Sequence, residues 1–316
     1  MAGQALSTLT ALLRENVAPG VNDLLFRQTD LLNFLRANGR VSDGVGPAPF
    51  SWNVVTSANS STEVFTEGQA PPAAGSQTFV RTSLNPFYVR GVCGRTGHVR
   101  DNQARGGYYA DPLAVEQMLL EADVMKKLED TLVGSTQDQG LAAIIDATGT
   151  YANLAAGTYA SWASEENAVS GALTLTALQT LYEEMTLGSV SSVPRAATPT
   201  HWLMPVEQFN NYVNLAGPNA STPLYRFGPG QTPDFTGYGG AMLPTCSGLP
   251  LVQVRTLTNT EVYLVDVTDI ELLVHRDLRL DPIVGNPENE QWQLSFAVAL
   301  KVARRNKHGK MTGVTA

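Results

Sequence analysis

Histidines, cysteines and a scatter of carboxylates are the side chains from which this 316-residue chain would have to build a reactive site. His98, His201, His275 and His308 fall in no HExxH or similar ligand spacing, so each reads as an ordinary strand or loop residue. Cys93 and Cys246 belong to no CxxC pair, and Cys93 has no identifiable base partner. Both read as free thiols of a reducing compartment. Asp266, Asp269 and Glu271 could in principle hold a cation, but their place between strands favours a solvated turn. Glu183 and Glu184 are neighbours on a helix and point in different directions, so they form no acid/base pair. GVCGRTG at 91–97 echoes a phosphate loop yet lacks the Gly-Lys-Ser/Thr ending, and GYGG at 237–240 is a lone glycine cluster. No GxSxG elbow occurs. No local signature of catalysis, cofactor or metal emerges.

One charge feature remains. Lys301, Arg304, Arg305, Lys307 and Lys310 crowd the last strand and tail, and no acid follows Glu290. Such a cluster is either a solvated strand end or a contact with an acidic neighbour or enclosed nucleic acid.

The elements that position these groups are clearer. Asp111–Gly134 carries the strongest helix signal: Asp111 can cap, Pro112 suits the first helical position, and Gly134 supplies a left-handed stop. Val115, Met118, Leu119, Ala122, Met125, Leu128 and Leu132 make one apolar stripe, and Asp123 and Lys127 have ion-pair spacing. Residues 1–40 read as an arm. Its leucines Leu6, Leu9, Leu12 and Leu13 precede a cluster containing Leu24, Phe26 and Phe34 that ends at Asn38-Gly39. Neither piece is long enough to fold alone, so the arm must bury these side chains on the body or a neighbour. Residues 50–92 alternate as two long extended arms around the turn-rich tip EGQAPPAAGSQ, which predicts a protruding hairpin. Phe65, Phe79, Phe87 and Tyr88 could press it onto a partner, or onto its own domain. GLAAIIDATGTYANLAAG reads as small and loop-like, Thr174–Gly188 as an amphipathic helix, and THWLM as a buried strand before a helix over Val206–Leu215. From Leu249 the chain is mostly strand, with turns at Asp281-Pro282 and Gly285-Asn286-Pro287. Helices in the middle and strands at the end indicate an α+β fold.

Composition narrows the function. Charged residues are only 16%, against roughly 25% in a typical soluble domain, as expected of a surface that faces other copies. A net charge of −8 opposes a protein that coats nucleic acid by neutralising phosphates. No run of about 18 apolar residues predicts a membrane span, and the opening MAGQALSTLTALLRENV lacks the features of a secretory signal.

This order of parts resembles the major capsid proteins of tailed bacteriophages, with the Hong Kong 97-type fold. Residues 1–48 look like that family's N-terminal arm, and 49–92, with TEGQAPPAAGSQTF at the tip, like its E-loop. Residues 93–139, with a spine helix at 112–133, look like the P domain. HWLMPVEQF and MLPTCSGLPLVQV, within 140–260, look like the A domain, and 261–316 like strands returning to the P domain. The resemblance implies a homo-oligomeric protein without chemistry or cofactor. Pentamers and hexamers would close an icosahedral virion shell around packaged double-stranded DNA, held without sequence specificity. Portal and scaffolding proteins, and in some cases decoration proteins, would be partners, and assembly would take place in the host cytoplasm. It implies intersubunit contacts at Phe65, Glu67, Phe79, Phe87, Tyr88, Leu24, Phe26 and Phe34, and DNA or neighbour contacts at Arg304, Arg305, Lys307 and Lys310. Some family members weld subunits through an E-loop lysine, but no lysine lies in Phe50–Val92, so no covalent chainmail is expected from that loop. An encapsulin-like nanocompartment shares the fold and is the alternative, followed by a soluble α+β enzyme.

Overall fold

The computed structural model describes residues 29–43, 48–57, 59, 61–67, 69–106, 112–134, 139–187, 197–216, 245–283 and 289–315. In chain order, helix α1 (Asp30–Ala37) and strand β1 (Val41–Asp43) precede β2 (Phe50–Ser57), β3 (Thr78–Leu84) and β4 (Phe87–Thr96). Helices α2 (Gly97–Ala104), α3 (Pro112–Val133) and α4 (Leu141–Ile144) follow, then the short strands β5 (Thr150–Tyr151) and β6 (Leu154–Ala155). Next come β7 (Glu165–Ala172), α5 (Leu175–Leu187), β8 (His201–Met204) and α6 (Val206–Ala216). The chain ends in β9 (Thr245–Cys246), β10 (Leu249–Gln253), β11 (Val262–Val265), β12 (Ile270–Ile283), β13 (Asn289–Val302) and β14 (Gly309–Thr315).

Two sheets carry the body. The first runs β1-β12-β13-β4, with β1 parallel to β12 and the other pairs antiparallel. The long helix α3 crosses it beside β4. Closeness there depends on glycine: a Cβ on Gly91 would meet Leu120 Cδ1 at 2.5 Å, and one on Gly94 would meet the Glu290 carbonyl at 2.6 Å. The glycines of GVCGRTG therefore serve a packed strand, not a phosphate loop. The second sheet runs β7-β14-β11-β8-β10-β9 and packs α5 and α6 through Leu178, Leu181, Met185 and Tyr212.

The helix α3 matches its expected span, but its buried face is rotated. Val124, Leu128, Leu132 and Val133 are buried together with Glu129, while Met118 is 59% exposed. Apolar residues lie on more than one side of this helix, so its spacing alone did not select the face. An i, i+4 ion pair joins Lys126 to Asp130, and Asp111 lies outside the described residues. Gly134 follows the last turn of α3, its N–H donating to the Asp130 carbonyl at 3.0 Å.

The second half of the expected arm is core. Leu31, Leu32, Phe34 and Leu35 of α1 are each no more than 2% exposed. Gly39, at φ 63°, closes the helix by a Schellman pattern, Arg40 N–H to Leu35 O at 2.8 Å and Gly39 N–H to Arg36 O at 3.0 Å. At the other end Thr29 offers no side-chain cap. The buried Glu129 carboxylate of α3 takes that place, accepting the N–H groups of Leu31 at 2.7 Å and Leu32 at 2.9 Å, with the Thr256 hydroxyl at 2.8 Å.

Three further expectations change. The segment after α3 is not a loose loop, since Leu141, Ile144, Ile145, Tyr151 and Leu154 are all buried. Asp281-Pro282 lies inside β12 rather than at a turn, and Gly285-Asn286-Pro287 is outside the described residues. The strands after residue 261 divide: β12 and β13 join the first sheet, whereas β11 and β14 sit inside the second.

Candidate intersubunit surfaces

The hairpin is built from β2 and β3, paired antiparallel from Phe50↔Leu84 at the base to Val55↔Phe79 and Ser57↔Thr78. The return arm breaks at Asn85-Pro86, because β4 leaves the ribbon and pairs with β13. Alternation then gives the ribbon two faces. Phe50 and Leu84 are buried at the base, and Trp52, Val54 and Val80 lean on the first core. Val55 and Phe79, cross-strand neighbours, face solvent at 51% and 65% exposure.

A clamp that the sequence did not reveal fixes the base. Ala152 and Asn153, both at positive φ (50° and 65°), turn β5 into β6. The Ala152 carbonyl accepts the Ser83 N–H at 3.4 Å, the Asn153 amide donates to the Ser83 hydroxyl, and Gln139 donates to the Asn85 carbonyl. Behind them Trp52, Tyr151 and Trp162 form a ladder, with ring centroids 6.5 Å and then 6.3 Å apart, the second pair stacked. The Tyr151 hydroxyl accepts the Val302 N–H at 2.8 Å and donates to the Leu300 carbonyl at 2.9 Å. Since β4 pairs only as far as Val298, this phenol closes the stretch of β13 that β4 leaves open. The only signals in the sequence were Tyr151, Tyr159 and Trp162 in a stretch of small residues.

The expected contact residues separate into groups. Phe65, Phe79 and Tyr88 are 71%, 65% and 64% exposed, and Glu67 is exposed with them. Phe87 is half-buried against the core. Phe34 is 1% exposed, with its ring 5.1 Å from His201, so its surface is spent within the chain. Leu24 and Phe26 lie outside the described residues.

Within the basic cluster, Arg305 and Lys310 are buried inside the chain, whereas the Arg304 side chain stays exposed. Arg305 is fully buried and donates to three carbonyls, Ile144 at 2.6 Å, Asp146 at 2.6 Å and Gly149 at 2.7 Å. Arg304 grips Asp269 through both carboxylate oxygens. Lys310 is buried, 3.5 Å from the Glu166 carboxylate and 3.3 Å from the Ala142 carbonyl. Lys307 is half-buried. The tail folds inward because β14 is an internal strand, and the acids that answer these cations come from distant parts of the chain.

Several of the groups that could do chemistry are likewise buried or bonded within the chain. Cys93 and Cys246 are free and buried, and burial pushes both thiols up. Burial drives His201 and His308 down to about 4, so both rings are neutral, and His308 Nδ1 accepts the Asp266 N–H at 3.3 Å. Two of the three carboxylates of the expected solvated turn are buried and the third is half-buried: Asp266 caps the turn at 267–269 by accepting from Thr268, Asp269 holds Arg304, and Glu271 meets Ser42 and Lys301. Among the described residues no cluster of His, Cys, Asp or Glu could hold a metal ion, and no helix is long and apolar enough to cross a membrane.

Comparison by shape relates the chain to solved structures of shells. The capsid asymmetric unit of cyanophage A-1(L) superposes with a TM-score of 0.70 at 17% identity, covering 99% of this chain and 100% of that one. The capsid of a native GTA particle gives 0.63 at 12% identity, covering 98% and 100%. The holo-SrpI encapsulin complex from Synechococcus elongatus gives 0.60 at 15% identity, covering 99% and 96%. No family model and no curated protein matches the sequence. The chain thus has, over its whole length, the mixed α+β fold of phage capsid proteins, a fold also found in an encapsulin.

Proposed function

We propose that this protein is the major shell protein of a tailed phage, with the Hong Kong 97-type architecture. Copies assemble as pentamers and hexamers into an icosahedral capsid around packaged double-stranded DNA. The observation that carries the reading is the whole-length likeness to capsid subunits, coupled to a hairpin whose base is clamped in its own core and whose outer face stays apolar and exposed. Rings of identical subunits need a patch on one copy to meet a different patch on the next. Val55 and Phe79, cross-strand neighbours on the exposed face, offer such a patch, and Phe65 is exposed in the connection between the two strands. Its role is mechanical, and DNA is enclosed rather than gripped, in keeping with a chain of net charge −8. Deleting Glu67–Gly75 is the direct test. The expected product is a folded, unassembled subunit by electron microscopy and sedimentation. Normal shells from the deleted chain would overturn the role given to the hairpin, and a wild-type chain that stays a small oligomer would overturn the shell reading itself.

A further inference from the structure

Asn38-Gly39, which closes α1, is the one Asn-Gly pair in the sequence. Asparagine is a labile side chain, and glycine after it makes the loss of its amide easiest. The backbone nitrogen of the next residue attacks the side-chain carbonyl carbon, and glycine, with no Cβ, puts nothing in the way. That attack requires the nitrogen to swing onto Cγ by rotation about the asparagine Cα–C bond. A chain free to rotate there reaches the arrangement, and a fixed one does not.

Here the bond is fixed in the wrong place. Asn38 has φ −87° and ψ 5°, which turns the Gly39 nitrogen toward the Asn38 nitrogen and off the side chain. Gly39 donates its N–H to the Arg36 carbonyl at 3.0 Å, and the next N–H, of Arg40, reaches the Leu35 carbonyl at 2.8 Å. The side chain is held as well, with Asn38 Nδ2 donating to the Phe34 carbonyl at 2.9 Å. Both reacting groups are therefore engaged by the last turn of α1. The helix is kept in place by its buried face and by the Glu129 carboxylate at its other end. Beyond the pair, the Arg40 carbonyl accepts the Leu272 N–H at 2.8 Å and β1 continues along β12. Gly39 itself is exposed and Asn38 only half-buried, so water reaches the site. Conformation protects it, not burial.

We propose that Asn38-Gly39 is a self-modification site gated by α1, inert while the helix is docked and reactive once it comes away. Opening frees the Gly39 nitrogen, which bonds to Asn38 Cγ as the side-chain nitrogen leaves as ammonia. The succinimide so formed takes up one water at either carbonyl and opens to aspartate or isoaspartate. The mark is one-way. Either product replaces the donor to the Phe34 carbonyl by a carboxylate, set against the negative end of the helix. Isoaspartate also lengthens the backbone between α1 and β1, so the turn bonds and the β1–β12 register no longer fit together. A chain marked while open docks its helix less well afterwards.

The test follows position 38 by peptide mass spectrometry while the full-length chain is held in warm, mildly alkaline buffer, folded or in urea. The folded chain should be modified at least about tenfold more slowly than the unfolded one, because only its open fraction reacts. Glu129→Gln, which weakens the cap of α1, should react about tenfold faster than folded wild type, and Leu31→Ala opens the same helix by another route. Hydrogen exchange at the Leu35 and Arg40 amides reports that opening in each chain. Asn38→Asp, which carries the product's charge, should speed exchange at both amides. Equal rates in folded and unfolded chains overturn the gate, as do variants whose amides exchange faster without faster modification. An unfolded chain that keeps its asparagine overturns the site itself. Wild-type exchange in Asn38→Asp overturns the one-way mark.

Discussion

Replacing Tyr151 by Phe isolates one atom of the hairpin clamp. The ring is 1% exposed and keeps its stack on Trp162 and its tilt on Trp52, so shape and apolar burial are unchanged. What goes is a hydroxyl that serves two backbone groups of β13, the Val302 N–H and the Leu300 carbonyl. Val302 and Leu300 are no more than 1% exposed, so water cannot take over without opening the sheet. A buried backbone group left without a partner costs about 1–3 kcal/mol, and two of them put Tyr151→Phe at roughly 2–4 kcal/mol. Urea unfolding of the unassembled subunit should show this as a lower midpoint with an unchanged slope. Hydrogen exchange should show faster exchange at the Val302 amide first. Tyr151→Ala should cost more, about 3–5 kcal/mol, because it also opens a cavity between the tryptophans. It should impair assembly as well, since the hairpin then loses its fixed angle. A Tyr151→Phe subunit within about 0.5 kcal/mol of wild type would refute the reasoning. The phenol would then be a packing group only, with the strand end satisfied in some other way.

Two further outcomes follow from buried polar groups. Glu129→Gln keeps one oxygen for Leu31 and Thr256 but turns an amide donor toward the Leu32 N–H. Burial pushes the Glu129 carboxyl up, so removing the charge returns part of the loss, and about 2 kcal/mol of destabilisation is expected from urea titration. His308 should make the subunit acid-sensitive. Its folded-state value of about 4 lies below the ordinary 6.5, so the unfolded chain binds the proton more readily. Stability is then complete above pH 6.5 and declines toward pH 4. Between pH 7.5 and pH 5 the loss should be about 2 kcal/mol from this ring, and thermal melts of His308→Asn across that window should show a shallower decline.

Much of the architecture was legible because it rests on periodicity and punctuation. The long helix, the strand at His201–Met204, the helix after Pro205 and the extended ribbon around a Gly/Pro tip all declare themselves through spacing and turn residues. What stayed hidden depended on contacts between distant positions. Nothing near Glu129 indicates that its carboxylate will cap a helix almost a hundred residues earlier. Small residues around Tyr151 disguise a core segment as a loop. The basic run near the end looked solvent-directed because its partners, Asp269, Glu166 and three carbonyls between Ile144 and Gly149, lie outside it in sequence. A cation cluster read without its acids cannot be assigned to surface or core.

These displacements move the burden of assembly. Leucines in an arm too short to fold alone suggested a chain that needs neighbours to complete itself. Yet α1 buries Leu31, Leu32, Phe34 and Leu35 at home, and at ~1.5–3 kcal/mol per side chain that docking needs no second copy. The hairpin differs. Its base is anchored by Phe50, Leu84 and the aromatic ladder, so the outer face is presented by a rigid support rather than completed by a partner. Val55, Phe65, Phe79 and Tyr88 remain exposed on a subunit whose hairpin base is buried. A ring built from such subunits loses little ordering entropy at the hairpin base when it forms, because the clamp has already fixed it. Contact energy at the outer face then goes into association, and variants should sort accordingly. Changes at Trp52, Tyr151 or Trp162 lower subunit stability and assembly together. Changes at Val55 or Phe79 lower assembly while leaving the subunit's unfolding midpoint where it was.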